Sequence, residues 1–237
     1  MKKIYSLFLQ TTIRSFLAFA LICAWALASN GQSVKSLLET EIYKLDNGLT
    51  IYLNEDHSLP SVIGAVAVKG GSKRDPADAT GIAHYFEHIM FKATDQMGTI
   101  DYPSEKVYLD SISVLYDKLA ATSVAEDKAS IQLEINRLSI KASGYAIPNE
   151  IEKILGEMGG TNINAGTGNE EIVYYNIFPS NQVEKWLDVY SHRFINPVYR
   201  LFQSELETVY EEYNMYKDNR FSNAFETYSK AFYPDHP

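Results

Sequence analysis

Gly81-Ile-Ala-His84-Tyr-Phe-Glu87-His88-Ile-Met-Phe91 is where this chain stops reading as strands and begins to read as helices. A polar loop from Ser72 to Ala79 leads into it, with a cap near Asp78 or Thr80, so the sequence predicts a helix over about Ala79 to Lys92. Helical residues four apart project from one face a turn apart, which lets the rings of His84 and His88 grip one cation. Glu87, three residues from His84, points to nearly the same face. It is placed to take a proton from a water on that cation without being a ligand itself. The plain alternative is two core or surface histidines beside a salt bridge; three specified residues on one face favour the metal.

Upstream, Ile42 to Leu45 and Leu49 to Leu53 flank Asp46-Asn47-Gly48, a turn sequence that tolerates positive φ, and predict a β-hairpin. A third strand runs from Val62 to Val68 and ends at Gly70-Gly71. Downstream, Val107, Ile112, Leu115 and Leu119 share one helical face and Ile131, Ile135 and Leu138 another, with Thr122-Ser123 between, so about Tyr102 to Ser143 reads as a helical hairpin. A helix from Asn149 to Met158 ends at Gly159-Gly160, strands follow over Thr161 to Gly166 and Glu171 to Ile177, and helices return at about Asn181 to Phe194 and Ser204 to Asn219. Strands with helices on one side predict an α+β fold with a mixed, mainly antiparallel sheet.

The chain has 237 residues, 46% of them hydrophobic and 13% aromatic, a globular composition. Its formal charge of -9, with no basic run beyond the first residues, excludes a nucleic-acid-binding stripe. Lys2, Lys3 and Arg14 precede an apolar run from Phe16 to Ala28, which reads as a secretory signal peptide cut after Ala28 and followed by a linker over 29–40. The run is shorter than the ~20 residues a membrane span needs, so the expectation is an exported product, periplasmic or extracellular, without a stable span after signal removal. Cys23, the single cysteine, lies in that leader. The mature chain would hold no thiol, leaving His and carboxylates as metal ligands.

Two histidines leave a catalytic zinc short of the three protein ligands it usually has. Ser204-Glu-Leu-Glu-Thr-Val-Tyr-Glu-Glu212-Tyr-Asn-Met215 is the candidate source of the third. Ser204 and Glu207 read as a capping box, and Glu205 and Glu212, seven apart, fall two turns along one face, so one could bind metal and the other orient a ligand. By spacing alone, a solvated acidic helix is the simpler reading. His57 and His192 read as surface or packing residues.

His84, Glu87 and His88 form the inverted HxxEH motif of zinc peptidases. With the motifs quoted above, the chain resembles the pitrilysin or insulinase family, which also includes mitochondrial processing peptidase, in patches from about Glu41 to Pro237. The resemblance implies a zinc endopeptidase acting on peptides or unfolded segments, with Glu87 activating the zinc-bound water. Glu212 becomes the third ligand and Glu205 its supporting carboxylate. Asn164-Ala165-Gly166-Thr167-Gly168 resembles the edge strand on which family members lay substrate, which makes Asn164 and Ala165 substrate-binding. Glycine at 166 and 168, where an aromatic and a serine are common, loosens side-chain pockets more than backbone binding. From His88 to Glu212 is 212 minus 88, or 124 residues, longer than the family's usual interval, and the hairpin at about 102–143 reads as the insertion. Family enzymes resemble a clamshell with a second half, and the chain stops at Pro237 where family members continue. A second domain or partner subunit is therefore expected, and the alternative is a non-catalytic or half-enzyme peptide-binding subunit.

Overall fold

At Asp46-Asn47-Gly48 the chain reverses with Gly48 at φ 89°, its N–H donating to the Leu45 carbonyl at 2.9 Å. The turn joins β1 (Thr40–Lys44) to β2 (Thr50–Asn54), antiparallel with Ile42 opposite Tyr52. A computed structural model describes residues 39–234, so the expected leader over 1–28 and nearly all of the linker lie outside the described residues. The hairpin belongs to one unit of the chain, ending at Leu59, and the rest, from Pro60 onward, forms a second.

In the second unit β3 (Ser61–Val68), β4 (Thr161–Thr167) and β5 (Ile172–Pro179) form a sheet in the order β3-β5-β4, and every pairing among the described residues is antiparallel. The centre strand alternates strictly: Ile172, Tyr174, Asn176 and Phe178 are buried and their neighbours are less so, as period-two side chains require. Those residues pack against Ala83 of α1 (Ile82–Ile89), Ile151 and Leu155 of α4 (Glu150–Glu157), and Trp186, Val189 and Tyr190 of α5 (Val183–Ile195). Helices thus cover one face of the sheet. Phe178, Trp186 and Tyr190 stack in series, and Asn176, wholly buried, is satisfied by accepting from Trp186 Nε1 at 2.7 Å and the Tyr190 hydroxyl at 3.0 Å. Gly64 of β3 lets the indole approach, since a Cβ there would lie 2.5 Å from Trp186 Cζ2.

The helical hairpin is α2 (Tyr102–Ala121) and α3 (Ala125–Ser143), broken at Thr122-Ser123 as the pattern predicts. Ile135 and Leu138 are buried, and Ile112, Leu115 and Leu119 are half-buried. Val107, expected on the inner face, is exposed; the buried position on that turn is Glu105, whose carboxylate accepts two bonds from Arg200 at 2.8 and 2.9 Å. Arg200 also donates to the Met97 and Thr94 carbonyls, so one guanidinium ties the hairpin to the chain after α1 and to the entry of α6 (Phe202–Asp218).

Two boundaries depart from the sequence reading. α6 begins at Phe202, with Leu201 in the left-handed region at φ 56°, and Ser204 inside the first turn donates to the Leu201 carbonyl, so no Ser204–Glu207 capping box forms. After α6 the chain turns at Asn219, whose side chain accepts from the Phe221 and Ser222 N–H groups and starts α7 (Arg220–Phe232), a helix the sequence reading does not place. Among the described residues no helix is long and apolar enough to cross a membrane.

Candidate metal centre

Every donor of the candidate site hangs on α1 or α6, and α1 is fixed at both ends. At its start Gly81 sits at φ 93°, a conformation that favours glycine, and the Asp75 carboxylate accepts from the N–H groups of Gly81 at 2.7 Å and Ala83 at 3.0 Å. Asp75, and neither Asp78 nor Thr80, therefore caps the helix, which is shorter than expected because the chain before Ile82 is occupied by this turn. At its end the buried Arg193 of α5 donates Nε to the Met90 carbonyl at 2.7 Å. An anion at the first turn and a cation at the last both complement the helix dipole. The guanidinium lies over Phe91 and Tyr174 at 4.2 and 4.5 Å, and burial pulls its pKa below the ordinary value.

Tyr85 joins α1 to the start of α6. Its hydroxyl donates to the Phe202 carbonyl at 2.6 Å and its ring meets Phe202 edge-on; burial pushes its pKa up, so it stays a neutral donor. The neighbouring face carries the histidines. His84 Nε2 and His88 Nε2 are 3.2 Å apart, and Glu212 Oε2 lies 3.6 Å from the first and 3.4 Å from the second. Four bonds of ~2.0–2.1 Å in a tetrahedron place their ligand atoms about 3.3 Å apart, so this triangle matches three corners of a tetrahedral site. His88 Nδ1 faces Glu205 Oε1 at 2.9 Å; with Nδ1 donating there, Nε2 presents its lone pair to the triangle. Two imidazoles and one carboxylate suit a borderline divalent cation and leave a fourth position open.

Glu87 is buried on the same helix, and its Oε2 accepts from the Thr167 hydroxyl at the end of β4. That strand pairs with β5 alone, so among the described residues its outer edge is unpaired. Asn164, exposed, accepts from the Ala165 N–H at 2.9 Å. The structure thus groups His84, His88, Glu212 and Glu205, places Glu87 beside them, and sets Asn164 and Ala165 on the edge strand whose last residue holds Glu87. It adds three residues that sequence reasoning did not single out: Asp75, Thr167 and Lys92, the last with Nζ 2.5 Å from Glu205 Oε2. Only Lys92, one turn beyond His88, carried a signal in its spacing.

The sequence pattern described as Insulinase (Peptidase family M16) matches residues 50–108 and 119–237, and the chain belongs to that family. A putative zinc protease, mug138, of Schizosaccharomyces pombe is 37% identical over 81 residues, covering 33% of this chain and 8% of that protein. An uncharacterized zinc protease, YmxG, of Bacillus subtilis is 24% identical over 82% of this chain and 36% of its own length. The first half of the periplasmic protease PqqL from Escherichia coli superposes with a TM-score of 0.55 at 16% identity, over 81% of this chain and 32% of that one, a likeness of fold. The chain therefore spans about a third or less of the relatives it matches.

Proposed function

We propose that this chain is the zinc-binding part of an exported metalloendopeptidase, with His84, His88 and Glu212 as ligands and Glu87 as general base. The observation that carries the reading is the triangle of Nε2, Nε2 and Oε2 atoms, 3.2 to 3.6 Å on a side, with the buried carboxylate of Glu87 between the two histidines on their helix. Zinc bound there would lower the pKa of a coordinated water to about 7 and polarise the scissile carbonyl. Glu205 orients His88. Glu87, with one oxygen engaged by Thr167, takes the proton of the attacking water on the other and returns it to the departing amine. The substrate is a peptide or unfolded segment laid along β4 by backbone hydrogen bonds near Asn164 and Ala165, as in strand addition. The supporting relatives are named zinc proteases.

A second reading, a half-enzyme or peptide-binding subunit completed by another domain or chain, is favoured by the exposure of the site. The His84 and Glu212 side chains are 40% and 46% exposed, so this chain alone leaves water at a place where hydrolases commonly exclude it. Export, with a leader over 1–28 and a peptidase domain over 41–237, belongs to the same proposal. Both readings meet one experiment: hydrolysis of a mixed peptide library by the chain, with and without chelator, beside Glu87→Gln. A peptidase loses at least ~100-fold in rate with either treatment. Cleavage that survives Glu87→Gln overturns the first reading, whereas a folded, zinc-binding chain that cleaves nothing supports the second.

A further inference from the structure

Glu205 is held from two sides, and only one of them is a proposed ligand. Its carboxylate is 9% exposed; Oε1 meets His88 Nδ1 at 2.9 Å and Oε2 meets Lys92 Nζ at 2.5 Å. Lys92 lies just past the end of α1, where its N–H donates to the Ile89 carbonyl at 2.9 Å, and its side chain is 20% exposed. A short, fixed stretch of chain thus carries both His88 and the cation that holds the partner of His88.

A carboxylate anchored by one oxygen can swing about its last torsion, which is broad and soft, and so can an imidazole about its own. With both oxygens anchored, the plane of Glu205 is set, and the Nδ1 contact then sets the ring so that Nε2 faces His84 and Glu212. We propose that Lys92 is a positioning residue of the metal site, acting through Glu205 on the orientation of His88. The inference rests on the reading of His84, His88 and Glu212 as zinc ligands. Charge alone argues the other way, because an ammonium near a divalent cation repels it. Removing Lys92 therefore separates the two effects by sign: lost positioning weakens zinc binding, and lost repulsion tightens it.

The experiment is the zinc dissociation constant of the 237-residue chain, measured by competition with a chromophoric chelator, for wild type, Lys92→Met, Lys92→Arg, Glu205→Gln and the Lys92→Met/Glu205→Gln pair. The expected result is a loss of about tenfold in Lys92→Met, the lower end of what outer partners of metal ligands contribute, with most of it restored in Lys92→Arg. Once Glu205 is Gln, Lys92→Met adds no further loss. Unchanged or tighter binding in Lys92→Met, or an equal loss in both backgrounds, overturns the proposal. Should Lys92→Met fail to fold, Lys92→Ala, which leaves room for water to solvate the free oxygen of Glu205, is read in the same terms: about tenfold weaker zinc binding supports the proposal, and unchanged or tighter binding overturns it. A wild-type chain that binds no zinc overturns the ligand assignment and this inference with it; a wild type that binds through His84 and His88 while Lys92→Met binds equally well overturns this inference alone.

Discussion

Thr167 and Glu87 meet from positions 80 residues apart, and the hydroxyl is the neutral partner of a buried carboxylate. A hydrogen bond to a charged group contributes about 1.5 kcal/mol or more, and 1.4 kcal/mol is about tenfold in rate. In any preparation that hydrolyses peptides, Thr167→Val is therefore expected to lower kcat roughly tenfold with KM and zinc affinity little changed, and Thr167→Ser to behave as wild type. Steady-state kinetics decide it, and an unchanged kcat would mean that α1 alone orients Glu87. At this scale the sequence was most legible where chemistry is local. His84, Glu87 and His88 occupy one turn of one helix, so their common face follows from helix geometry. Glu205 and Glu212 share a face by the same rule, but an acidic pair seven apart looks identical whether it meets solvent or two histidines. Thr167 reaches Glu87 across chain segments that no local pattern relates, whereas Lys92 sits one turn beyond His88 and shows what it holds only once α6 brings Glu205 to it.

The elements themselves were legible wherever a period or a turn marked them. Asn47-Gly48 announced the first hairpin, and the Thr122-Ser123 break between two apolar faces announced the second. What was missed are ends set by distant groups: the start of α1 is held by Asp75, six residues before Gly81, and α6 starts early because Arg200 and the positive φ of Leu201 fix its entry. The corner between α6 and α7 went unread because Asn219 looks like a stop, whereas its side chain caps a new helix. That corner also carries a charge clamp, in which Glu226 of α7 accepts from Lys217 of α6 and from Lys230 one turn on. These bonds hold the Glu226 carboxyl down to about 2, below its ordinary 4.5. A carboxyl depressed in the folded state adds stability that is present above its unfolded pKa and is lost as pH falls through the folded one. The difference in urea midpoint between wild type and Glu226→Gln is thus expected to be constant above about pH 5, to shrink on acidification and to vanish only below about pH 2. The effect is small because water still reaches this half-buried pair, and a difference that persists well below about pH 2 would assign it to helix packing instead.

Over the whole molecule, the proposed zinc is a staple as much as a reagent. It would join α1 to α6, helices separated in sequence by the hairpin and most of the sheet, at a place where the fold sets three acceptor atoms within 4.8 Å of one another. Tyr85 and Phe202 hold the same two helices together without metal, so the apo chain is expected to fold but with less stability. A ligand that binds only the folded state stabilises it by about 4 kcal/mol at a thousandfold excess over Kd, and for a chain of this size each kcal/mol raises Tm by roughly 2–4 °C. Zinc added to chelator-treated protein should accordingly raise Tm by roughly 8–16 °C, less whatever the unfolded histidines bind. Magnesium should not, because it prefers oxygen ligands and keeps its waters. Glu212→Gln removes the one ligand that α6 supplies, so zinc can still sit on His84 and His88 but no longer bridges the helices, and most of the shift should disappear. If Glu212→Gln keeps the full shift while His88→Ala loses it, the metal is held by α1 with some other partner, and the third ligand must be sought away from α6.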